Sequence, residues 1–351
     1  MKGTHLILPS ARVSSLARLN RLLKTKAYAH ATYFIFVDEN SYNYCLSEVV
    51  ARVEALQEAE FVELPIGEEC KSIEIAAQVW QTLMESGADR NSVIVNIGGG
   101  AVCDLGGFVA STFMRGIRHI NIPTTLLAMV DAAVGGKTAI DLAGVKNVVG
   151  TFHLPAAVCV EPLFLDTLPE IEKMSGTVEM LKTMLVGGAV ESIPAGWQDL
   201  LTAENIRTCV EIKDAVVRQD VNDHGMRKIL NFGHTFGHAV EAYSAMQGNG
   251  LPHGYAVGIG MLCATYLSVK KLGLEKSLFN ALRGYVSSLF ILPEYTLKDA
   301  ETMLSIMRHD KKNGDGEVRC VLLQSVGAAV IDVAVSEMEI RDALLAYDKS
   351  L

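Results

Sequence analysis

The stretch VIVNIGGGAVCDLGGFVA, residues 93–110, decides how the first half of the chain is read. Its first five residues form a short, largely β-branched run, VIVNI, that ends at three consecutive glycines. Beyond them the apolar positions change to helical spacing over 102–110. Strand, glycine turn and helix in that order make half of a βαβ unit. They also leave bare backbone amides at a helix N-terminus, where a phosphate can bind. The spacing departs from the usual dinucleotide fingerprint, because Gly98 and Gly100 fit its first two glycines but Cys103 stands where the third belongs. Local pattern alone leaves pyrophosphate binding and a plain tight turn as alternatives.

Working outward, β-rich runs at 33–37, 119–122 and 158–160 alternate with helical patterns at 47–58 and 72–86. Ser72 is placed to cap the second of these helices and Gly87 to end it. Asp38, closing the strand at 33–37, can accept hydrogen bonds from a ribose or serve as a turn residue. This alternation predicts a mostly parallel sheet with flanking helices, an α/β domain over residues 1–168. After Pro169 the pattern becomes helical, over 170–186, 202–220, 231–246 and 256–271. A β pair at 318–323 and 328–333 precedes a last helix, so residues 169–351 read as a second, mainly α-helical domain. A length of 351 residues favours two domains over one.

Composition excludes several function classes. A net charge of −9 argues against nucleic acid as a partner, so any anionic ligand must be held by local basic residues. The seven cysteines include no CxxC pair, which fits reduced thiols in the cytoplasm better than a disulfide framework or a zinc ribbon. The opening MKGTHLILPS has too short an apolar run for a signal-peptide core, and no stretch approaches the length of a membrane span. A cytoplasmic protein with no membrane partner is expected.

The densest chemistry lies in NFGHTFGHAVE, residues 231–241, and LPHGYAVGIGM, residues 251–261, which together carry three of the nine histidines. His234 and His238 are spaced i, i+4, one helix face, and His253 follows among glycines. Neutral imidazoles suit zinc, and a catalytic zinc takes three protein ligands and leaves a position open. Glu179, with Lys182 in an otherwise apolar helix, is a carboxylate that could complete such a set, although a Glu and Lys at i, i+3 are also a common exposed pair. The segment VDAAVGGKTAID imitates a P-loop, but Asp131 occupies the position of its first glycine and would oppose a phosphate. Lys137 and Lys146, with Asn147 beside the latter, remain as candidate anion contacts, although lysines are usually solvated surface residues.

These segments resemble the 3-dehydroquinate synthases, members of the sugar phosphate cyclases. The resemblance runs in order through GEECKS, IGGGAVCDLGGFVASTFMRGI, IPTTLLAMVDAAVGGKTAIDLAGVKN, SGTVEMLK, MRKILNFGHTFGHAVE, HGYAVGIGM and HDKKN. It implies a Rossmann-like NAD-binding domain followed by a helical metal-binding domain, and zinc or cobalt held by Glu179, His234 and His253. His238 is then a proton-transfer residue and not a ligand. NAD+ contacts are implied at Asp38, Glu68, Lys71, Gly99, Gly100, Ala101, Val102, Asp104, Thr124, Thr125, Lys137, Lys146, Phe164 and Thr167. Substrate contacts are implied at Arg115, Lys137, Asn147, Lys213, Arg227, Asn231 and one of Lys311 or Lys312, with Arg115 reaching in from the second subunit of a homodimer. Asp131, Lys182, Lys137, Asn231 and His238 are the implied catalytic set.

The implied reaction converts 3-deoxy-D-arabino-heptulosonate 7-phosphate, a sugar acid phosphate, to 3-dehydroquinate. It proceeds by transient oxidation with NAD+, phosphate elimination, re-reduction and an internal aldol closure. The chain departs from the family pattern at Cys70, Ala132, Ala133, Thr183 and Tyr255. Another sugar phosphate cyclase is therefore an alternative. So is a metal-dependent alcohol or glycerol dehydrogenase, which shares the layout but does not need the anion contacts.

Overall fold

The computed structural model describes residues 16–310 and 317–351. The chain divides into two compact units, Met1–Lys173 and Met174–Leu351.

The first unit holds helices α1 (Leu16–Leu23), α2 (Glu39–Ser41), α3 (Ser47–Arg52), α4 (Ile73–Glu85) and α5 (Gly100–Thr112). Its strands are β1 (Tyr33–Asp38), β2 (Glu60–Leu64), β3 (Val93–Gly98), β4 (Arg118–Pro123), β5 (Lys137–Leu142), β6 (Val145–Phe152) and β7 (Ala157–Val158). Five of these form one parallel sheet in the order β2-β1-β3-β4-β7. β3 is buried along its whole length, and Phe34 and Phe36 of β1 are fully buried, as expected for central strands covered on both faces. Each such phenylalanine contributes about 1.5–3 kcal/mol by leaving water. The chain leaves β1 for one side of the sheet and returns to β3 on the other. That switch point, where Asp38 and Gly98 end adjacent strands, is where open α/β sheets bind ligands.

Three strands go beyond the sequence-based expectation. β2 reads EFVEL and is an edge strand with Glu60, Phe61 and Glu63 exposed, so its pattern carries little apolar signal. β5 and β6 form an antiparallel hairpin whose outer strand is mostly exposed. Lys137 opens β5, so the GGKT segment runs into a strand and not into the helix that a P-loop requires.

The rings of His119 in β4 and His153 after β6 stack at 5.0 Å, and neither Nδ1 has a hydrogen-bond partner. Burial, with the His153 ring adding to it, presses His119 from its ordinary 6.5 down to about 3. The folded protein therefore keeps His119 neutral while the unfolded chain takes up a proton below pH 6.5. Stability from this site is complete above that pH and falls on acidification by up to about 1.4 kcal/mol per pH unit. Urea unfolding between pH 7 and 5 should show His119→Phe with a flatter pH dependence than the parent. Equal slopes would mean that the buried imidazole does not govern acid sensitivity.

The second unit contains most of α6 (Glu170–Gly187), then α7 (Trp197–Leu200), α8 (Ala203–Gln219), α9 (His234–Met246), α10 (His253–Leu272), α11 (Lys276–Leu289) and α12 (Leu297–Asp310). A hairpin of β8 (Val318–Ser325) and β9 (Ala328–Val335) and a final helix, α13 (Glu337–Ala346), complete it. α10 is apolar all round and packs against α9, α11, α13 and β8, which makes it the central helix of the unit. Its close contact with α9 depends on Gly260, where a Cβ would lie 2.0 Å from the Gly233 carbonyl oxygen and 2.5 Å from the Gly237 nitrogen. No helix among the described residues is long and apolar enough to cross a membrane.

Candidate functional site

α6 is buried on every side over residues 175–186, and Glu179 lies within that run with no exposed surface. A carboxylate so placed needs positive charge or donors at hand. Lys182, one turn on and equally buried, sets its Nζ 2.5 Å from Oε2. That is an ion pair by distance, yet neither oxygen has a hydrogen-bond partner of good geometry. Oε1 instead faces two imidazoles, with His234 Nε2 and His253 Nε2 each 3.7 Å away.

The three side chains converge because of how their helices begin and pack. His234 and His253 are the first residues of α9 and α10, and the Gly260 contact clamps those helices together. Gly254 docks the start of α10 on α6: its N–H donates to Ser175 Oγ at 3.0 Å, and a Cβ there would lie 2.1 Å from the Ser175 carbonyl oxygen.

The ligand atoms of Glu179, His234 and His253 all lie within 4.8 Å of one another. One divalent ion bonding tetrahedrally at about 2.1 Å sets its ligand atoms about 3.4 Å apart, and the 3.7 Å separations of Glu179 Oε1 from both imidazole nitrogens are near that spacing. The orphaned carboxylate oxygens and the two-nitrogen, one-oxygen donor set both fit zinc or cobalt. His238 stands one turn beyond His234, its ring exposed and centred 5.2 Å from that of His234. It is not part of the three-atom cluster. His253 has a second neighbour, Glu241, whose Oε2 lies 3.0 Å from Nδ1. Burial pulls the His253 imidazole down, but the hydrogen bond to Glu241 and the charges of Glu179 and Glu241 outweigh it and leave the group above its ordinary value.

Other residues of the second unit flank this cluster along the chain. Lys213 is buried on α8, and Arg227 is buried in the turn at Met226–Asn231 that ends where α9 is about to start. Asp220 organises that turn by accepting from the main-chain N–H groups of His224, Gly225 and Arg227. The Arg227 guanidinium donates to the Val221 carbonyl at 2.8 Å. Lys311 and Lys312 lie outside the described residues.

In the first unit the candidate nucleotide residues gather at the carboxyl ends of the sheet strands. Gly99 caps α5 without a side-chain hydrogen bond, so the amides of Gly100, Ala101 and Val102 open the helix. Thr124 donates its N–H to the Gly98 carbonyl, which puts Thr124 and Thr125 beside the glycine turn. Asp38 accepts from the N–H and hydroxyl of Ser41 through Oδ1 and so caps α2. Lys71 is buried, with Nζ 2.9 Å from Asp104 Oδ2, 2.5 Å from Asn147 Oδ1 and 3.7 Å from Glu68 Oε2. Burial works against its charge, but Asp104 and Glu68 prevail and raise it above the ordinary lysine value.

Three sequence segments, carrying Glu68 with Lys71, Asp104 and Asn147, thus meet at one ammonium. Phe164 and Thr167 follow β7 in a short turn of their own, where the Thr167 hydroxyl donates to the Phe164 carbonyl. Asp131 sits half-buried in the helical turn Ala128–Ala132, and Lys137 and Lys146 are exposed on the β5–β6 hairpin. Arg115 is exposed on a strained turn, with φ of 50° at Met114 and 69° at Arg115.

Glu241 is the site residue that sequence reasoning passed over. It follows His234 and His238 on the same face of α9, at positions 234, 238 and 241, so the helical period was a usable signal.

Comparison with known proteins gives a consistent result. A family model described as 3-dehydroquinate synthase N-terminal matches residues 61–175, and one described as 3-dehydroquinate synthase C-terminal matches residues 176–313. A 3-dehydroquinate synthase of Parabacteroides distasonis is 38% identical over 323 residues, covering 90% of this chain and 91% of that one. Among solved structures, a 2-deoxy-scyllo-inosose synthase complexed with carbaglucose-6-phosphate, NAD+ and Co2+ superposes with a TM-score of 0.80. It covers 94% of each chain at 22% identity, a likeness of fold. The 2-epi-5-epi-valiolone synthase ValA of Streptomyces hygroscopicus subsp. jinggangensis, with NAD+ and Zn2+ bound, gives 0.76 at 26% identity, over 93% of this chain and 94% of that one.

Proposed function

The chain belongs to the 3-dehydroquinate synthase family, and we propose that it converts 3-deoxy-D-arabino-heptulosonate 7-phosphate to 3-dehydroquinate and inorganic phosphate. The observation that carries this reading is the cluster of buried Glu179 with the partly exposed His234 and His253, in a chain matched by both halves of the family. We assign those three residues to a divalent ion, zinc or cobalt. We assign Asp38, Glu68, Lys71, residues 99–104, Thr124, Thr125, Lys137, Lys146, Phe164 and Thr167 to NAD+. When bound, the ion supplies Lewis acidity to substrate oxygens and NAD+ supplies a hydride acceptor that is restored within each turnover.

The remaining assignments are those that the family resemblance implies, and charge and burial support some of them. Lys213 and Arg227 are buried cations, and a bound carboxylate offsets the cost of keeping such charges from water. They hold the acid end of the substrate. Lys137, Asn147, Arg115 and one of Lys311 or Lys312 hold the phosphate, with Arg115 supplied by a second copy in a homodimer. The exposed, strained turn at Arg115 supports that role. Asn231 and Asp131 orient the reacting hydroxyls. Lys182 keeps the charge of Glu179 balanced, and the exposed His238 ring moves protons at the substrate. Seven cysteines, all free and buried, support a reducing compartment such as the cytoplasm.

The test follows phosphate and NADH in one cuvette, with metal-loaded protein, NAD+ and 3-deoxy-D-arabino-heptulosonate 7-phosphate. Phosphate should appear in step with substrate loss while absorbance from NADH stays flat, in a preparation whose light-scattering mass is twice that of one chain. No phosphate from this substrate, but release from another sugar phosphate, would place the chain with a sister cyclase. Steady NADH accumulation with simple polyols would make it a dehydrogenase.

A further inference from the structure

His253 is gripped from both sides of its ring. Nε2 faces Glu179 Oε1 at 3.7 Å, and Nδ1 meets Glu241 Oε2 at 3.0 Å. The Glu241 side chain is 19% exposed, which removes it from the class of freely solvated surface acids. It projects from α9, the helix that carries His234, and reaches the first residue of α10. Because the Gly260 contact fixes the separation of those two helices, the carboxylate has little room to drift from the ring. A neutral imidazole whose Nδ1–H is held by a carboxylate carries its lone pair on Nε2, the nitrogen turned toward Glu179. At His234 the Phe232 carbonyl lies 3.4 Å from Nδ1.

We propose that Glu241 is a positioning residue of the metal centre: it accepts the Nδ1–H of His253, and so fixes the tautomer and ring direction that present Nε2 to the ion. The proposal rests on the assignment of Glu179, His234 and His253 as ligands. Glu241 touches neither ion nor substrate and acts through His253. The carboxylate also makes the imidazole a stronger donor, so its removal weakens ion binding before any turnover is considered.

Metal-free protein, its Glu241→Ala and Glu241→Gln variants, and Zn2+ competed against a chromophoric chelator provide the test, with the visible absorption of the Co2+ form as a second readout. Glu241→Ala should bind Zn2+ about 10–100-fold more weakly and alter the Co2+ bands. Glu241→Gln, whose amide oxygen still accepts from Nδ1–H, should recover most of the loss and remain within about tenfold of the parent. A merely structural carboxylate would leave both readouts unchanged, and wild-type affinity with wild-type Co2+ bands in Glu241→Ala overturns the proposal. So does equal weakening in both variants accompanied by loss of helical circular dichroism. If the alanine variant does not fold, Glu241→Asp, which withdraws the carboxylate by one methylene, must weaken Zn2+ binding for the proposal to stand. A parent protein that takes up no ion removes the ligand assignment itself, whereas tight binding by the parent with an unaffected Glu241→Ala removes the role of Glu241 alone.

Discussion

Replacing His253 by alanine is expected to abolish tight metal binding and lower turnover by about a thousandfold or more, the equivalent of several kcal/mol of lost transition-state stabilisation. The substitution removes one of the three atoms that face each other across the cluster. It should do so without unfolding the second unit, because the His253 side chain is about a third exposed at the first position of α10, where alanine is well tolerated. Metal content after dialysis, helical circular dichroism and phosphate release separate these effects. His238→Ala is the matched control: its ring stands outside the cluster, so metal should stay bound at the parent stoichiometry while turnover slows. Full activity of His253→Ala in metal-depleted buffer would falsify the assignment.

The second large effect concerns the backbone. Gly260→Ala is expected to cost ~3 kcal/mol or more of stability, at the upper end of overpacking penalties. The added carbon would meet two backbone atoms of the first turn of α9, the Gly233 oxygen at 2.0 Å and the Gly237 nitrogen at 2.5 Å. Neither is the far end of a flexible side chain, and the two already bond to each other, with Gly237 N–H donating to the Gly233 carbonyl at 2.8 Å. The helices must separate, and His234 moves with its helix. Loss of Zn2+ affinity should therefore accompany the loss of stability. Gly284→Ala in α11 is the contrast, an exposed helical position with open space around its Cα. That change should stabilise by about 0.5–1 kcal/mol. Denaturant midpoints that moved alike in the two variants would mean that helix propensity, and not the close approach, determines the result.

The elements legible in the sequence are those whose burial imposes a clean period. β1, β3 and β4 stand out because both of their faces are covered, α4 and α8 because their apolar residues recur at helical spacing, and α6 and α10 because their apolar runs are too long for a strand. Ser72 caps α4 and Thr202 caps α8 through their side chains, each accepting from the N–H three residues on. β2 escaped because an edge strand need only bury alternate residues, and its glutamates interrupt the run. The β5–β6 hairpin was obscured by the glycines and lysines that interrupt its apolar run. Helix α9 begins at His234, three residues later than its apolar pattern, because Gly233 turns the backbone into the left-handed region with φ of 81°.

The sequence by itself determined the residue types and the local order: a glycine turn after a strand, two histidines on one helix face, a third among glycines ahead of the next helix, and a Glu–Lys pair in an apolar helix. Spacing along the chain nominated His234 and His238 as a pair, since neighbours on one helix are all that a local period can report. Only tertiary packing decided that His253, from another helix, stands with His234 at Glu179, that His238 stands aside, and that Glu241 closes on the far nitrogen of the ring. The physical reason is that ligation and buried hydrogen bonds depend on distances between helices. Those distances are set where backbone meets backbone, at Gly254 against Ser175 and at Gly260 against Gly233.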